Sequence, residues 1–462
     1  MPADNTMISR RAAYILLGAF EIALFSMMYE YVFQIYDAEQ SRGRTLAISL
    51  AAGVLNGLYV YLFFDFVFPA VRADGRGEQI CPLSPFRSSK ESVCTGPEIA
   101  GDSITTESLL DIQGEGHKLT GDQSLWRGPE HCVNETCVFA NDEIGGGIVL
   151  VTNNYYAQLA KSFPRVSEPD SAASPPFYAA EVPGKGVGLV ANRTIHKGEI
   201  LMVKTPSLMA QAGPIARMEE GTRDMLYDLA IGKLPAPRRD EFMNQMGEGV
   251  HGKVDTNCFQ LFIGGGEEGS SHVGCYPEIS RFNHDCRPNV HYRINNMTHT
   301  TVAVRDIPPG EELSISYIDL LLPRADRRRR LHKWGFECGC AQCAMGADGT
   351  AASDARLRRI ARLKADLGAF NRTVVAADTG AELVALYEAE RLDSYLGNAY
   401  TRAALNYALF GEEEKARAYA GAAVEALERE YGPGFGDAKA MRVLAENPRA
   451  HWTWGKRRKQ TL

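Results

Sequence analysis

The alternation of apolar and polar residues divides this chain into stretches of different character. Thr45–Phe64 is a run of 20 residues with no charge, long enough as a helix to cross the hydrocarbon core of a bilayer. An earlier apolar stretch, Ala12–Val32, is interrupted by Glu21 and Glu30. A buried acid costs about 3 kcal/mol on insertion-type scales, which makes that span marginal. Residues 1–72 are therefore expected to form a membrane segment of one or two helices. The alternatives are a helical hairpin packed on protein, or a wrongly assigned start of the coding region. A cleaved signal peptide fits poorly, because no small-residue cleavage site follows a compact apolar core. Gly/Ser/Pro-rich sequence over 73–175 ends at Ser174-Pro175-Pro176 and is expected to be an irregular connector. Further on, residues 206–255 are compatible with helices, and Leu313, Ile315 and Tyr317 alternate as on one face of a strand. After Met345 an Ala/Leu/Glu/Arg-rich helical pattern takes over.

The cysteines add chemistry to that outline. Cys338, Cys340 and Cys343 have C-x-C-x-x-C spacing, which lets three thiolates on a tight turn take three corners of a tetrahedron. A fourth must come from elsewhere, and Cys286 is the candidate. Four thiolates leave no open position, so such a site would be structural rather than catalytic. Disulfide pairing is the competing possibility and would be favoured in an oxidising compartment. Cys81, Cys94, Cys132 and Cys137 form a separate even set, with an N-E-T sequon at Asn134 between the last two. Further sequons at Asn192, Asn296 and Asn371 fall where strands or helices are expected.

Around these cysteines the chain reads R-F-N-H-D-C-R-P-N from Arg281, S-I-S-Y ending at Tyr317, and W-G-F-E-C-G-C-A-Q-C ending at Cys343. Upstream stand G-K-G-V-G-L (Gly184–Leu189), T-N-C-F (Thr256–Phe259) and G-C-Y-P-E-I-S (Gly274–Ser280). In this order the motifs resemble the SET-domain protein lysine methyltransferases with a post-SET zinc site. Within them the chain is most similar to the SET-and-MYND family and its fungal SET cousins. The resemblance implies an α+β SET-domain fold with a pseudoknot and post-SET turn over 176–345, with a helical insert at about 206–255. It implies S-adenosyl-L-methionine as cofactor, zinc as structural metal, and a protein substrate presenting a lysine, histone or non-histone. Two departures stand out. The stretch Pro206–Asp255 contains no cysteine, so no MYND finger is expected there. The Ser of the N-H-S-C motif is Asp285, a carboxylate beside the proposed metal and cofactor.

The same resemblance assigns roles. Tyr317 would be the central catalytic residue, its hydroxyl orienting the amine, unless it is a Tyr anchored in a core. Tyr276 is a second channel-wall candidate. Lys185, Gly186, Val187 and Gly188 form the cofactor turn. Lys185 would meet the cofactor carboxylate or be a solvated turn lysine, and Val187 would supply only backbone. Asn257 would contact the methionine part, Asn283 and His284 would close the pocket, and Phe336 would stack on the adenine or simply pack under the turn. Ala399–Leu427 resembles one tetratricopeptide helix-turn-helix. One unit of about 34 residues does not make an array, so 346–462 is expected to be a TPR-like lid over the substrate cleft, or plain packing.

At 462 residues, 45% of them hydrophobic, the chain should hold two or three domains. Its net charge of −7 and pI of about 5.9 argue against strong nucleic-acid binding. Arg327–Arg330 is expected on a solvated helix face, and Lys456–Lys459 is a terminal basic tail. In a two-span hairpin Arg10, Arg11, Arg72 and Arg76 oppose Arg42 and Arg44, which puts the catalytic region in the cytosol. The expected localisation is thus membrane-associated with a cytosolic catalytic domain, the alternatives being soluble cytoplasmic or nuclear, or luminal. The competing function is a non-catalytic SET-fold scaffold tethered to a membrane.

Overall fold

The computed structural model describes residues 125–163, 174–264, 269–369 and 375–457. The segment 1–72, Cys81, Cys94 and Asn371 lie outside the described residues. Among the described residues no helix is long and apolar enough to cross a membrane.

The first described elements are β1 (Arg127–Val133), β2 (Thr136–Asn141), β3 (Ile148–Thr152) and α1 (Asn154–Lys161). They fall inside the expected irregular connector and correct that expectation. T-C-V-F-A-N and I-V-L-V-T are buried at every position, which is the pattern of inner strands covered on both faces. Asn153 starts α1 by accepting the Tyr156 amide at 3.0 Å. A disulfide joins Cys132 and Cys137 across the β1–β2 hairpin.

Next come β4 (Phe177–Val182), β5 (Gly186–Ala191), β6 (Ile200–Lys204) and β7 (Leu208–Gln211). The expected helical insert therefore opens with a strand before α2 (Ala212–Ala216), α3 (Glu220–Gly232), α4 (Ala236–Met243) and α5 (Gly249–Asn257). Then follow β8 (Cys258–Phe262), β9 (Ser271–Cys275), the two-residue β10 (Asn283–His284), β11 (Val290–Asn295), β12 (Thr298–Ala303) and β13 (Glu312–Ile315). The sequons at Asn192 and Asn296, expected in strands or helices, sit instead just after β5 and in the β11–β12 turn, where Asn296 takes φ 55°.

Three sheets result, ordered β1-β2-β3-β7-β9-β8, β10-β13-β5-β4 and β11-β12-β6. Leu226, Tyr227 and Ala230 of α3 pack on Val138, Val149 and Leu208 of the first sheet. The other two share a core containing Leu189, Leu201, Phe282, Val290, Leu313 and Ile315. β13 runs parallel to β10, with Asn283 opposite Ser314, and antiparallel to β5, with Glu312 opposite Val190. It is an inner strand, so Leu313, Ser314 and Ile315 are all buried and the anticipated one-faced alternation is lost. Tyr317 lies two residues past its end.

The C-terminal region is helical: α6 (Arg324–Leu331), α7 (Ala347–Gly368), α8 (Thr379–Ala389), α9 (Leu396–Phe410), α10 (Glu413–Tyr431) and α11 (Gly436–Glu446). Gly411, left-handed at φ 75°, ends α9. Ala416, Ala420, Ala423 and Leu427 form the buried stripe of α10 against Ala404, Leu405 and Ala408. The two helices and the turn between them cover Ala399–Leu427. The far end of α10 docks on β11, whose residues 291, 293 and 295 share one face. His291 donates Nε2–H to the Glu430 carbonyl (3.1 Å), Arg293 donates to that of Arg429 (2.7 Å), and Asn295 to that of Tyr431 (3.4 Å). These are carbonyls that the helix end leaves without an intrahelical partner.

Candidate active site and metal centre

Cys286 follows β10, while Cys338, Cys340 and Cys343 follow α6; all four are buried. Their sulfurs lie within 4.8 Å of one another, and Cys286 Sγ is 3.5 Å from Cys343 Sγ. A tetrahedral zinc with bonds of about 2.3 Å has sulfur–sulfur edges of about 3.8 Å, so the donor set fits that ion. Crowding acts unequally on the thiols. Hydrogen bonds from Cys286 and Cys338 pull Cys340 down to about 5, whereas bonds to the other three push Cys286 up. A set whose protons compete in this way suits a divalent cation that replaces them.

Two side chains tie this cluster to its surroundings. Arg327, expected on a solvated face, is instead 1% exposed. It donates to the Leu322 carbonyl at 2.7 Å, and among the described residues no carboxylate pairs with it. Burial opposes its charge, but the neighbouring Cys286 and Cys343 sulfurs more than offset that and hold it cationic. A run of four arginines gave no sign that the first turns inward. The second is Glu390, fully buried, which pairs with Arg287 and accepts from Ser353 (2.8 Å), Arg356 (2.7 Å) and Gln342 (3.2 Å). Arg287 adjoins Cys286 and Gln342 lies inside the C-x-C-x-x-C loop, so one carboxylate from the helical region anchors both halves of the cluster.

Tyr317 stands beside the cluster. Its backbone amide donates to His284 Nδ1 at 3.1 Å, and its hydroxyl donates to the Phe282 carbonyl at 2.7 Å. Burial raises the phenol to about 12, so it stays protonated, and burial lowers the His284 imidazole to about 4, so that ring is neutral. Phe336 stands 6.5 Å from the Tyr317 ring, edge-on, and 6.4 Å from His284. Trp334, quoted in the motif but given no role, packs 5.3 Å from Tyr317 and donates to the Thr256 carbonyl at 3.0 Å. It thereby ties the cysteine turn to the end of α5.

The Gly-rich turn lies on the other side of β13. Gly186 is left-handed at φ 73°, which favours glycine, and a Cβ on Gly188 would stand 2.7 Å from Asn283 Nδ2 and 2.8 Å from Val182 Cγ2, so a side chain there would displace both. Asn283 donates to Glu312 Oε1 at 2.9 Å, and Lys185 Nζ contacts Glu312 Oε2 at 2.6 Å. Lys185 is thus held by a protein carboxylate. Val187 is 40% exposed and turned outward.

Asn257 ends α5 and donates Nδ2 to the Met246 (2.8 Å) and Lys253 (2.7 Å) carbonyls. Together with Tyr317 it lines a cavity of about 1480 Å³, walled by Phe259, Tyr292, Trp334, Tyr395 and Tyr431 from both the sheets and the helical region. Lys185, Gly186, Gly188, Asn283, His284 and Phe336 are not in that wall; they gather around β10 and the turn before β5. Tyr276, a sequence candidate for the channel, is fully buried with its hydroxyl on the Met297 carbonyl (2.9 Å) and its ring 4.9 Å from His299. It is a core residue, as the buried end of β9 dictates. Cys258 and Cys275 face each other across β8 and β9, beside Asn257.

Residues 186–318 match the SET domain family. Over shorter stretches the chain is similar to the human Histone-lysine N-methyltransferase SMYD3, 41% identical over 87 residues, 19% of this chain and 20% of that protein. The Gallus gallus N-lysine methyltransferase SMYD2 is 42% identical over 95 residues, covering 20% and 21%. The Mus musculus Histone-lysine N-methyltransferase Smyd1 is 34% identical over 124 residues, covering 24% and 25%. The matched part thus spans about a fifth to a quarter of these relatives.

Proposed function

We propose that this SET-domain chain is a protein-lysine N-methyltransferase that takes its methyl group from S-adenosylmethionine. The observation that carries the reading is Tyr317, held at its backbone amide by His284 and at its hydroxyl by the Phe282 carbonyl, and opening onto a large aromatic-walled cavity. The similarity of residues 186–318 to SET domains, and of shorter stretches to lysine methyltransferases, supports it.

When bound, S-adenosylmethionine supplies an electrophilic methyl on a sulfonium sulfur. The residues that would hold it are the backbone of Gly186 to Gly188, Asn283, His284 and Asn257, with Phe336 as an apolar wall. Asn257 and Asn283 each spend Nδ2 on a protein acceptor, and among the described residues neither Oδ1 has a donor. Both offer an acceptor to a ligand.

The chain's own task is to deliver a neutral amine. A free lysine titrates at about 10.4, so deprotonating it near pH 7.4 costs about 4 kcal/mol. Aromatic walls lower that cost by desolvating the ammonium form. The Tyr317 hydroxyl spends its proton on the Phe282 carbonyl, which leaves its oxygen lone pairs to accept from the amine and aim it. A phenol titrating at about 12 is no base at neutral pH, so Tyr317 acts by orientation. Cys286, Cys338, Cys340 and Cys343 would hold one structural zinc that fixes Phe336 and Trp334 against this site. The substrate is a protein lysine entering through the cleft between the sheets and the helical region. A membrane tether at 1–72 rests on the uncharged run Thr45–Phe64 alone.

The test is methyl incorporation from labelled S-adenosylmethionine into a broad protein extract. Wild type should transfer and Tyr317→Phe should transfer at least about 10²-fold less, while still binding the donor. Equal incorporation by both would remove Tyr317 from the chemistry. No incorporation by wild type would favour a non-catalytic scaffold.

A further inference from the structure

Glu312 opens β13, and its neighbours explain why a carboxylate stands there. β13 lies between β5 and β10, so a side chain at its start reaches both the turn before β5 and the first residue of β10. Glu312 uses both directions. Oε2 takes Lys185 Nζ at 2.6 Å and Oε1 takes Asn283 Nδ2 at 2.9 Å. The Asn283–Glu312 bond passes over Gly188, where an added Cβ would lie 2.7 Å from Asn283 Nδ2 and 3.1 Å from Glu312 Oε1. The absence of a side chain at Gly188 is what lets the bond form.

We infer that Glu312 is a positioning residue for the methyl-donor site, acting through Asn283 and Lys185. A primary amide can face either way, and its orientation is set by what it meets. An ionised carboxylate only accepts, so Asn283 must present Nδ2 to Glu312 and turn Oδ1 to the opposite side. Among the described residues that oxygen has no donor, and it is left as a fixed acceptor for a donor group on the ligand. The same carboxylate holds the Lys185 ammonium at the lip of the Gly-rich turn and places the positive charge there. A neutral side chain at 312 would leave the amide free to rotate and the ammonium free to leave. The site would then have to be ordered by the ligand at the moment of binding, which weakens affinity. Glu312 itself touches no reacting atom. The inference rests on the donor-site reading given above.

Glu312→Gln is isosteric and is the decisive variant. Its amide has one acceptor oxygen for two donors, so one of the two contacts must fail. The experiment is calorimetric titration of the full chain with S-adenosylhomocysteine, together with steady-state kinetics and a melting curve for each variant. Loss of one charge-assisted hydrogen bond corresponds to roughly tenfold or more in affinity. We expect Glu312→Gln to weaken S-adenosylhomocysteine about tenfold and to raise the donor KM in proportion, with kcat at saturating donor and the peptide KM little changed. A residue serving stability alone would shift the melting curve without that split. We also expect Asn283→Ala to weaken binding by itself and the effects of Glu312→Gln and Asn283→Ala to combine to less than their sum, because part of the Glu312 effect runs through that amide. Should Glu312→Gln fail to fold, Glu312→Asp retains the charge but is one methylene too short to span both partners, and it should show the same KM shift at smaller size. If wild type binds S-adenosylhomocysteine and the folded variants bind it equally well, or if the two effects simply add, the inference is overturned while the donor reading stands. If wild type binds none, the donor reading falls and the inference with it.

Discussion

The backbone amide of Tyr317 donates to Nδ1 of His284 at 3.1 Å, and the other ring nitrogen of His284 lies 3.3 Å from Cys286 Sγ. A single buried imidazole therefore connects the proposed catalytic phenol to the cysteine cluster. The position of Tyr317 depends on both β10 and the cysteine turn, two segments far apart in the chain.

Replacing Tyr317 by Phe removes the acceptor that aims the substrate amine while leaving ring packing in place. We expect kcat to fall about 10²–10³-fold and donor affinity to stay within about threefold. Loss of the bond to the Phe282 carbonyl should cost about 1 kcal/mol of stability. Single-turnover kinetics and a melting curve check the two effects separately.

The four sulfurs should hold one zinc ion per chain, measurable by elemental mass spectrometry. Cys340→Ser should lower that occupancy, and removal by a strong chelator should destabilise the protein and quench transfer. Arg327→Met removes the buried cation beside the sulfurs and should speed zinc loss to a colorimetric chelator. An unchanged release rate would show that its charge does not stabilise the centre.

Truncating Glu390 to Ala leaves the Arg287 guanidinium buried and unpaired. Such losses cost about 3–5 kcal/mol, and the melting temperature should fall accordingly. Because Arg287 and Gln342 both border the cysteines, zinc release should accelerate in the same variant.

Glu430 caps the start of α9, accepting the Gly397 amide at 2.9 Å, and burial raises its carboxyl from 4.5 to about 8. The folded state therefore holds this proton more tightly than the unfolded chain. The stability it contributes is full below about pH 4.5 and declines as pH rises toward 8, by up to about 1.4 kcal/mol per unit. The nearby His291 and His299 rings are pushed down by burial to about 4 and about 3 and act in the opposite sense as pH falls. The clean quantity is hence the stability difference between wild type and Glu430→Gln. Denaturant melts from pH 5 to pH 8 should show that difference shifting in favour of Gln as pH rises.

Much of the candidate site is legible in the sequence because its residues sit in local motifs. The C-x-C-x-x-C turn, Cys286, Tyr317 and the glycine turn each carry a signature within a few residues. What escaped depends on partners distant in sequence. Glu312 looks like an ordinary strand-edge acid until β10 and β5 bracket it. Arg327 is one of four arginines, and only the orientation of α6 separates it from its solvated neighbours. Tyr276 looks like a wall residue because motif order says nothing about whether the residue just past β9 turns into the core. Strands β1 to β3 were missed because window composition over 73–175 averages two short buried runs with the polar sequence around them.

The most direct test is site-resolved mass spectrometry of a protein extract incubated with the purified chain and S-adenosylmethionine. The account predicts new methyl groups on lysine Nζ atoms with wild type and at least about 10²-fold less methylation with Tyr317→Phe. Methylation confined to another residue type, or lysine methylation unchanged by Tyr317→Phe, would contradict it.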